Sequence, residues 1–238
     1  HYYAEKHAMD LKVLYPKDLN PHSKQEYSMS IFKHFRHFQS PSPSAVEIRE
    51  QDNCGEELQI PKDTDVKLLG YFQRGSYVTD AFCNKLSLPS PSLWPTKEQF
   101  SLVMHIRGGD YLIPPWRSWH LIDVQDYIKR AKERFPELFT GLVLVFTNDP
   151  RYSLDVMREA NLQYQMVLAP NDVSELQSLA DMAAGDVPLM ISNSSFSWWA
   201  ARLSAKERMK LLPRDWFPSE EKSRSWDCVN GMEGGIVV

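Results

Sequence analysis

The chain lacks the short signatures that mark many nucleotide- and metal-dependent enzymes. It has no GxxxxGK[ST] loop, no GxGxxG turn, no GxSxG elbow and no HExxH pair. Those absences argue against P-loop, dinucleotide-binding, serine-hydrolase and zinc-protease chemistry. Cysteine is scarce too: Cys54, Cys83 and Cys228 are far apart and form no CxxC. Such a set builds neither a structural zinc site nor a disulfide scaffold, so reduced thiols are expected. No apolar run reaches the roughly eighteen residues of a membrane span, and no signal peptide opens the chain. The sequence starts on His1 rather than Met and reads as a fragment, with any targeting or anchoring segment lying elsewhere. The net charge of −4 supplies no basic field. A nucleic-acid partner is therefore not expected, and any phosphate must be bound by local groups.

What remains is an ordinary globular composition, 42% apolar and 24% charged over 238 residues. That length suffices for one large domain or two small ones, with a real core in either case. Seven Trp, ten Tyr and eleven Phe make the chain rich in rings. Core filling is their first use, and stacking on carbohydrate or nucleotide the second.

Residues 1–63 are polar and irregular, with "YSMSIFKHF" as the one hint of a short helix or strand. A strand is expected over residues 65–72, in "DVKLLGYFQ", and a helix in "GSYVTDAFCNKLSL". The proline-rich "SLPSPSLWPTKEQ" then reads as a link. Beyond it, strands and helices alternate: "FSLVMHI", a helix capped at Asp123, "GLVLVFTND", a helix in "SLDVMREA", "YQMVLA", a helix ending at Gly185, "VPLMISN", a helix in "SSFSWWAARLSA", and "RMKLLP". Strands apolar on both faces between amphipathic helices predict a parallel, Rossmann-like α/β sheet. The expected organisation is 1–95 as the remainder of an acceptor-side N-terminal domain with its linker, 96–217 as the Rossmann-like domain, and 218–238 as a tail.

In such sheets ligands sit at the carboxyl ends of the strands, and three polar clusters fall there. In HIRGGDY, Arg107 offers a planar fork for phosphate, and Gly108 and Gly109 allow close backbone approach. His105 fits either a buried, hydrogen-bonded histidine or a site residue. In SNSSFS, a helix amino terminus adds unpaired N–H groups to the hydroxyls of Ser194, Ser195 and Ser197, although ordinary capping explains serine there as well. In FTNDP, Asn148 and Asp149 serve either to cap a helix or to touch a nucleoside. Glu175, Asp181 and Asp186 read first as a charged helix face, and an acid near the cleft would also suit the donor edge of guanine.

Taken together, HIRGGDY resembles the HxRRGDY signature of the α1,2-fucosyltransferases, glycosyltransferase family 11. "LMISNSSFSWWAARL" resembles that family's IIANSSFSWWGAWL block, and "LGYFQ" a shorter block upstream. The resemblance implies a GT-B-type architecture of two Rossmann-like domains, with the N-terminal one incomplete here. It implies inverting, metal-independent transfer of fucose, with no cofactor, from GDP-β-L-fucose to the 2-hydroxyl of a galactose-containing glycan. It gives catalytic roles to Arg107, which would stabilise the departing GDP, to His105, which would support it, and to Asp110, which would orient the loop or act as base. Donor contacts are implied for Arg107, Gly109, Asn148, Asp181, Asn193, Ser194, Ser195, Phe196 and Ser197. Bacterial relatives are cytoplasmic and eukaryotic ones reside in the Golgi behind an N-terminal membrane anchor.

Three departures stand out. The helix before the Ser block fits the family only with a one-residue slip, so the family's aspartate role falls either to Asp181 or to another acid. Gly108 occupies a position where the family carries a second arginine, and the family's glycine-rich GGLGNQxFQ block does not occur. Two alternatives stay in view: a transferase of the same fold using another GDP-deoxysugar, and, motivated by Gly108 and the incomplete N-terminal domain, a non-catalytic nucleotide-sugar or glycan-binding module.

Overall fold

A computed structural model describes residues 12–14, 34, 36–38, 44–49, 59–69, 78–219 and 232–238. The chain divides into two compact units, His1–Pro89 and Ser90–Val238, and the division falls inside the proline-rich link. In the first unit, β1 (Lys12–Leu14) pairs in parallel with β2 (Arg36–Phe38), and β3 (Val46–Arg49) pairs in parallel with β4 (Val66–Leu69). Residues 1–63 therefore hold three strands where the sequence reading expected irregular chain. The signal in β3 is the alternation of Val46 and Ile48 with Glu47 and Arg49, which is too short to stand out beside its proline-rich flank. Glu47 faces Lys67 in register at 3.1 Å and pairs with Arg49 at 2.6 Å. The described part of β4 ends at Leu69, so the rest of the "LGYFQ" block lies outside the described residues. Of the helix expected after it, α1 (Asp80–Cys83) is described, with Thr79 accepting from the Phe82 amide.

The second unit carries a six-stranded, all-parallel sheet. Its strands are β5 (Leu102–Ile106), β6 (Val143–Thr147), β7 (Met166–Leu168), β8 (Leu189–Met190), β9 (Lys210–Leu212) and β10 (Gly235–Val237). The order is β10-β9-β8-β5-β6-β7. Numbered within the unit this is 6-5-4-1-2-3, the doubly wound Rossmann order, with its reversal between β5 and β8. The helices between the strands are α2 (Trp116–His120), α3 (Val124–Arg134), α4 (Pro150–Glu159), α5 (Glu175–Ala183) and α6 (Ser195–Leu203).

The central strands are apolar on both sides because both sides are covered. Leu102, Met104 and Ile106 join Val143 and Val145 in a core closed by Tyr127, Ile128 and Ala131 of α3 and Val156 and Met157 of α4. The intervening Val103, His105, Leu144 and Phe146 are buried as well, and they point to the opposite face. Asp123 caps α3 as expected, accepting from the Asp126 amide at 2.9 Å. Asp149 caps α4, with Pro150 at its first position.

Two boundaries differ from the sequence reading. Residues 235–237, expected in a tail, form the edge strand β10, and the Nζ of Lys210 fastens the turn before it by donating to the Glu233 carbonyl at 2.8 Å. Residues 90–95, expected with the N-terminal part, belong to the sheet unit. The Asp181 carboxylate accepts from the Ser92 amide at 2.7 Å, the Ser92 hydroxyl at 2.8 Å and the Leu93 amide at 3.2 Å. Among the described residues no helix is long and apolar enough to cross a membrane.

Candidate functional site

The reversal between β5 and β8 falls where doubly wound sheets hold their ligands, at the carboxyl ends of those strands, and HIRGGDY and SNSSFS lie on its two sides. On the first side β5 delivers Arg107 at the rim. One guanidinium nitrogen, Nη2, lies 2.8 and 2.9 Å from the two carboxylate oxygens of Asp110. The cation sits 5.4 Å from the centre of the Tyr111 ring. Its Nε is buried and has no hydrogen-bond partner. A guanidinium aimed by one carboxylate, with donor capacity unspent, is suited to an incoming oxyanion.

The two glycines follow from the same geometry. A Cβ on Gly108 would lie 2.8 Å from Asp149 Cβ and from Tyr152 Cδ1. Gly109 has φ +57°, and its Cβ would lie 2.7 Å from Asn148 Nδ2. The Gly108 amide donates to Asn148 Oδ1 at 2.9 Å, and the Gly109 amide to Asp149 Oδ2 at 3.2 Å. Asn148 and Asp149 thus hold the turn that aims Arg107. Asn148 also donates weakly, at 3.3 Å, to the Gly108 carbonyl.

His105, two residues before Arg107 on β5, is buried, and its Nδ1 lies 2.6 Å from Ser192 Oγ. Burial, with the Arg107 charge as a second cause, pushes its pKa down to about 3. The imidazole is therefore neutral near pH 7. A cavity of about 10 Å³, room for one water molecule, is lined by His105, Arg107, Tyr111, Ser192 and Asn193.

The second side is the start of α6. Ser194 stands at the N-cap, buried, and its side chain makes no capping bond. The first-turn amides keep their donor character and the positive end of the helix dipole. Ser195 is exposed beside them, and Phe196 lies 5.8 Å from the His105 ring. Ser197 turns inward, donating to the Ser192 and Ser194 carbonyls at 3.2 Å. Asn193 acts as a clamp: its Nδ2 donates to the His120 carbonyl at 2.6 Å and the Trp216 carbonyl at 3.0 Å. Its own carbonyl accepts from the Tyr111 hydroxyl at 3.2 Å.

The structure thus gathers His105, Arg107, Gly109, Asp110, Asn148, Asn193, Ser194, Ser195, Phe196 and Ser197 at one sheet edge. Within that set it divides them. Arg107, Ser194 and Ser195 present open donors, while Asn148, Asn193 and Ser197 spend theirs on the chain itself. Asp181 does not join them. It sits in the last turn of α5, which feeds the amino end of β8, and its buried carboxylate also accepts from Gln177 at 2.9 Å. Three donors of the 92–93 segment already occupy the carboxylate. Ser192 and Tyr111 lie inside SNSSFS and HIRGGDY, but neither stood out as a site residue in the sequence. Among the described residues no group of three or more His, Cys, Asp or Glu is placed to hold a metal ion.

The family model described as "Glycosyl transferase family 11" matches residues 95–229, a span that takes in both sides. The "O-antigen biosynthesis glycosyltransferase WbnK" of Escherichia coli is 29% identical over 153 residues, which cover 60% of this chain and 47% of that protein. The chain thus spans about half the length of the curated relative it matches. No solved structure matches.

Proposed function

The chain belongs to glycosyl transferase family 11, and from that premise we propose that it is the donor-binding part of a GT-B-type glycosyltransferase. The donor is GDP-β-L-fucose and the acceptor the 2-hydroxyl of a terminal galactoside. The observation that carries the reading is Arg107, whose guanidinium is aimed by Asp110 and keeps a buried, unpartnered Nε at the switch point of the sheet.

In this mechanism the diphosphate lies between Arg107 and the first turn of α6, contacted by the Ser194 and Ser195 hydroxyls and by backbone amides. The acceptor hydroxyl oxygen bonds to the sugar's anomeric carbon from the face opposite the phosphate. The bond from that carbon to the phosphate oxygen breaks, its electron pair leaves on GDP, and the hydroxyl proton passes to a base or to water. Charge grows on the phosphate as the bond breaks, and Arg107 and the helix terminus stabilise it without a metal ion. His105, neutral and held by Ser192, supports the arginine rather than shuttling a proton. Asp110 orients the guanidinium rather than acting as base, since both of its oxygens lie against Arg107.

The test, on the full-length protein, is release of GDP from GDP-fucose and from GDP-mannose, in parallel, with a panel of galactosides. Galactoside-dependent release from GDP-fucose is expected. Turnover with GDP-mannose alone would replace the donor. A second reading, a non-catalytic nucleotide-sugar-binding module, draws on Gly108, where Asp149 and Tyr152 leave no room for the second arginine expected by resemblance. Saturable GDP binding without turnover on any galactoside would favour it.

A further inference from the structure

The segment between β5 and α3 carries rings that phosphate binding does not use. Below the Arg107 guanidinium, Tyr111 stacks on His120 at 4.9 Å, and His120 stacks on Trp116 at 5.9 Å. The ladder leads outward from the phosphate seat to a surface. There Trp116 is 53% exposed and Ile113, three residues earlier, 60% exposed. The core of the sheet unit closes through Tyr127, Ile128 and Ala131 without either of them. The segment is nonetheless firmly held, since Asn193 binds the His120 carbonyl and receives the Tyr111 hydroxyl. A pre-positioned apolar surface beside a charged site gains by being covered when substrate binds.

We propose that Trp116, with Ile113, forms the acceptor platform of the site: the apolar C–H face of a galactose ring in the acceptor glycan packs on the indole. This rests on the donor-phosphate reading of Arg107 given above. A pyranose fits better than a nucleobase. Recognition of a base needs fixed, unspent polar groups for its edge, whereas Asp110 is committed to Arg107 and the Ser118 hydroxyl to the Pro115 carbonyl. A sugar's hydroxyls, by contrast, remain satisfied by water and by exposed side chains at the rim of such a platform.

The experiment uses the full chain as wild type, W116A and W116F. Lactose and GDP are titrated separately by ligand-observed NMR, and transfer from GDP-fucose to lactose is assayed alongside. W116A is expected to weaken lactose binding about tenfold with GDP affinity held, and W116F to stay within about threefold of wild type. In the transfer assay the KM for lactose rises in W116A while that for GDP-fucose holds. Wild type that fails to bind lactose, or W116A that binds it as wild type does, overturns the platform. So does an equal loss of GDP affinity in W116A, which would give the indole to the nucleobase. Lactose binding that depends on Trp116 without any fucose transfer leaves the platform standing and removes the fucosyl reading. Retention of function by W116F guards against a folding defect being mistaken for lost contact.

Discussion

The two edges of the parallel sheet both bury polar groups, and they treat them differently. At the amino edge, Asp181 binds three donors of the entering segment and Gln177. Lys210 gives its ammonium to the carbonyls of Ala205, Lys206 and Glu233. Arg208 donates to Val187 and Met182, with one nitrogen, Nη2, left over. At the carboxyl edge, Arg107 has one charged partner, itself half exposed, and Ser194 caps nothing with its hydroxyl. A buried charge whose partners come from its own backbone is scaffold, and breaking it costs stability. A polar group left with open valence at a strand terminus is a place for something else.

The largest effect that separates the edges is expected from Arg107→Ala. Losing a charge-assisted pair to phosphate should cost on the order of 2–4 kcal/mol, a roughly 30- to 1000-fold weaker Kd for GDP. The melting temperature should move less than in Asp181→Ala, because the partner of Arg107, Asp110, is half exposed. Calorimetric titration with GDP and a thermal melt check both halves. Unchanged GDP affinity would remove Arg107 from the site.

Asp181→Ala should invert that pattern. Unpairing the 92–93 amides is expected to lower unfolding free energy by about 2–3 kcal/mol, with GDP affinity in the folded protein kept within about twofold. Urea unfolding and the same titration decide it. If GDP binding collapses while stability holds, Asp181 serves the donor after all and the contrast between the edges fails.

Much of this was legible in the residues, and what was not has physical causes. LVMHI and VLVF announce buried parallel strands because neither face has a polar alternation. The switch point was legible only as a class of place; the pairing of β5 with β8 depends on long-range contacts that no local pattern encodes. SNSSFS pointed to the correct helix start, but it could not show that Asn193 and Ser197 turn their donors into the chain while Ser194 does not. The bonds of Asp181 to the 92–93 segment could not be read either, because an acid on a helix near a cleft looks the same in sequence whether it faces a ligand or a loop. The edge strand at 235–237 is three residues long, and it is fixed by the lysine of β9 rather than by its own pattern.

Gly108 sharpens the functional edge on a smaller scale. Gly108→Ala places a Cβ 2.8 Å from Asp149 Cβ and Tyr152 Cδ1, and such overpacking costs about 1–3 kcal/mol. The turn that aims Arg107 would shift with it, so GDP affinity should fall, though less than in Arg107→Ala. A stability assay and a GDP titration on this variant suffice. If alanine is accommodated with neither change, the wall formed by Asp149 and Tyr152 yields easily, and the missing arginine is not explained by lack of room.

His105 tests the carboxyl edge by its charge state, and its effect is spread over pH. Its pKa is pushed down to about 3 in the folded chain, against about 6.5 when unfolded. Between those values the unfolded chain binds the proton and the folded chain does not. Stability is therefore fully present above about pH 6.5 and drains away as pH falls toward 3, by at most about 1.4 kcal/mol per pH unit. His105→Asn removes that titration, so urea unfolding at a series of pH values from neutral to acid should show a shallower acid limb than wild type. Equal slopes would mean that the imidazole is already protonated when folded. The same neutrality bears on chemistry, because a histidine that does not titrate near neutral pH cannot set a pH–rate profile there. A rate limb near pH 6.5 that disappears in His105→Asn would restore the histidine as a proton carrier. Its absence is the result expected of an imidazole that stays neutral.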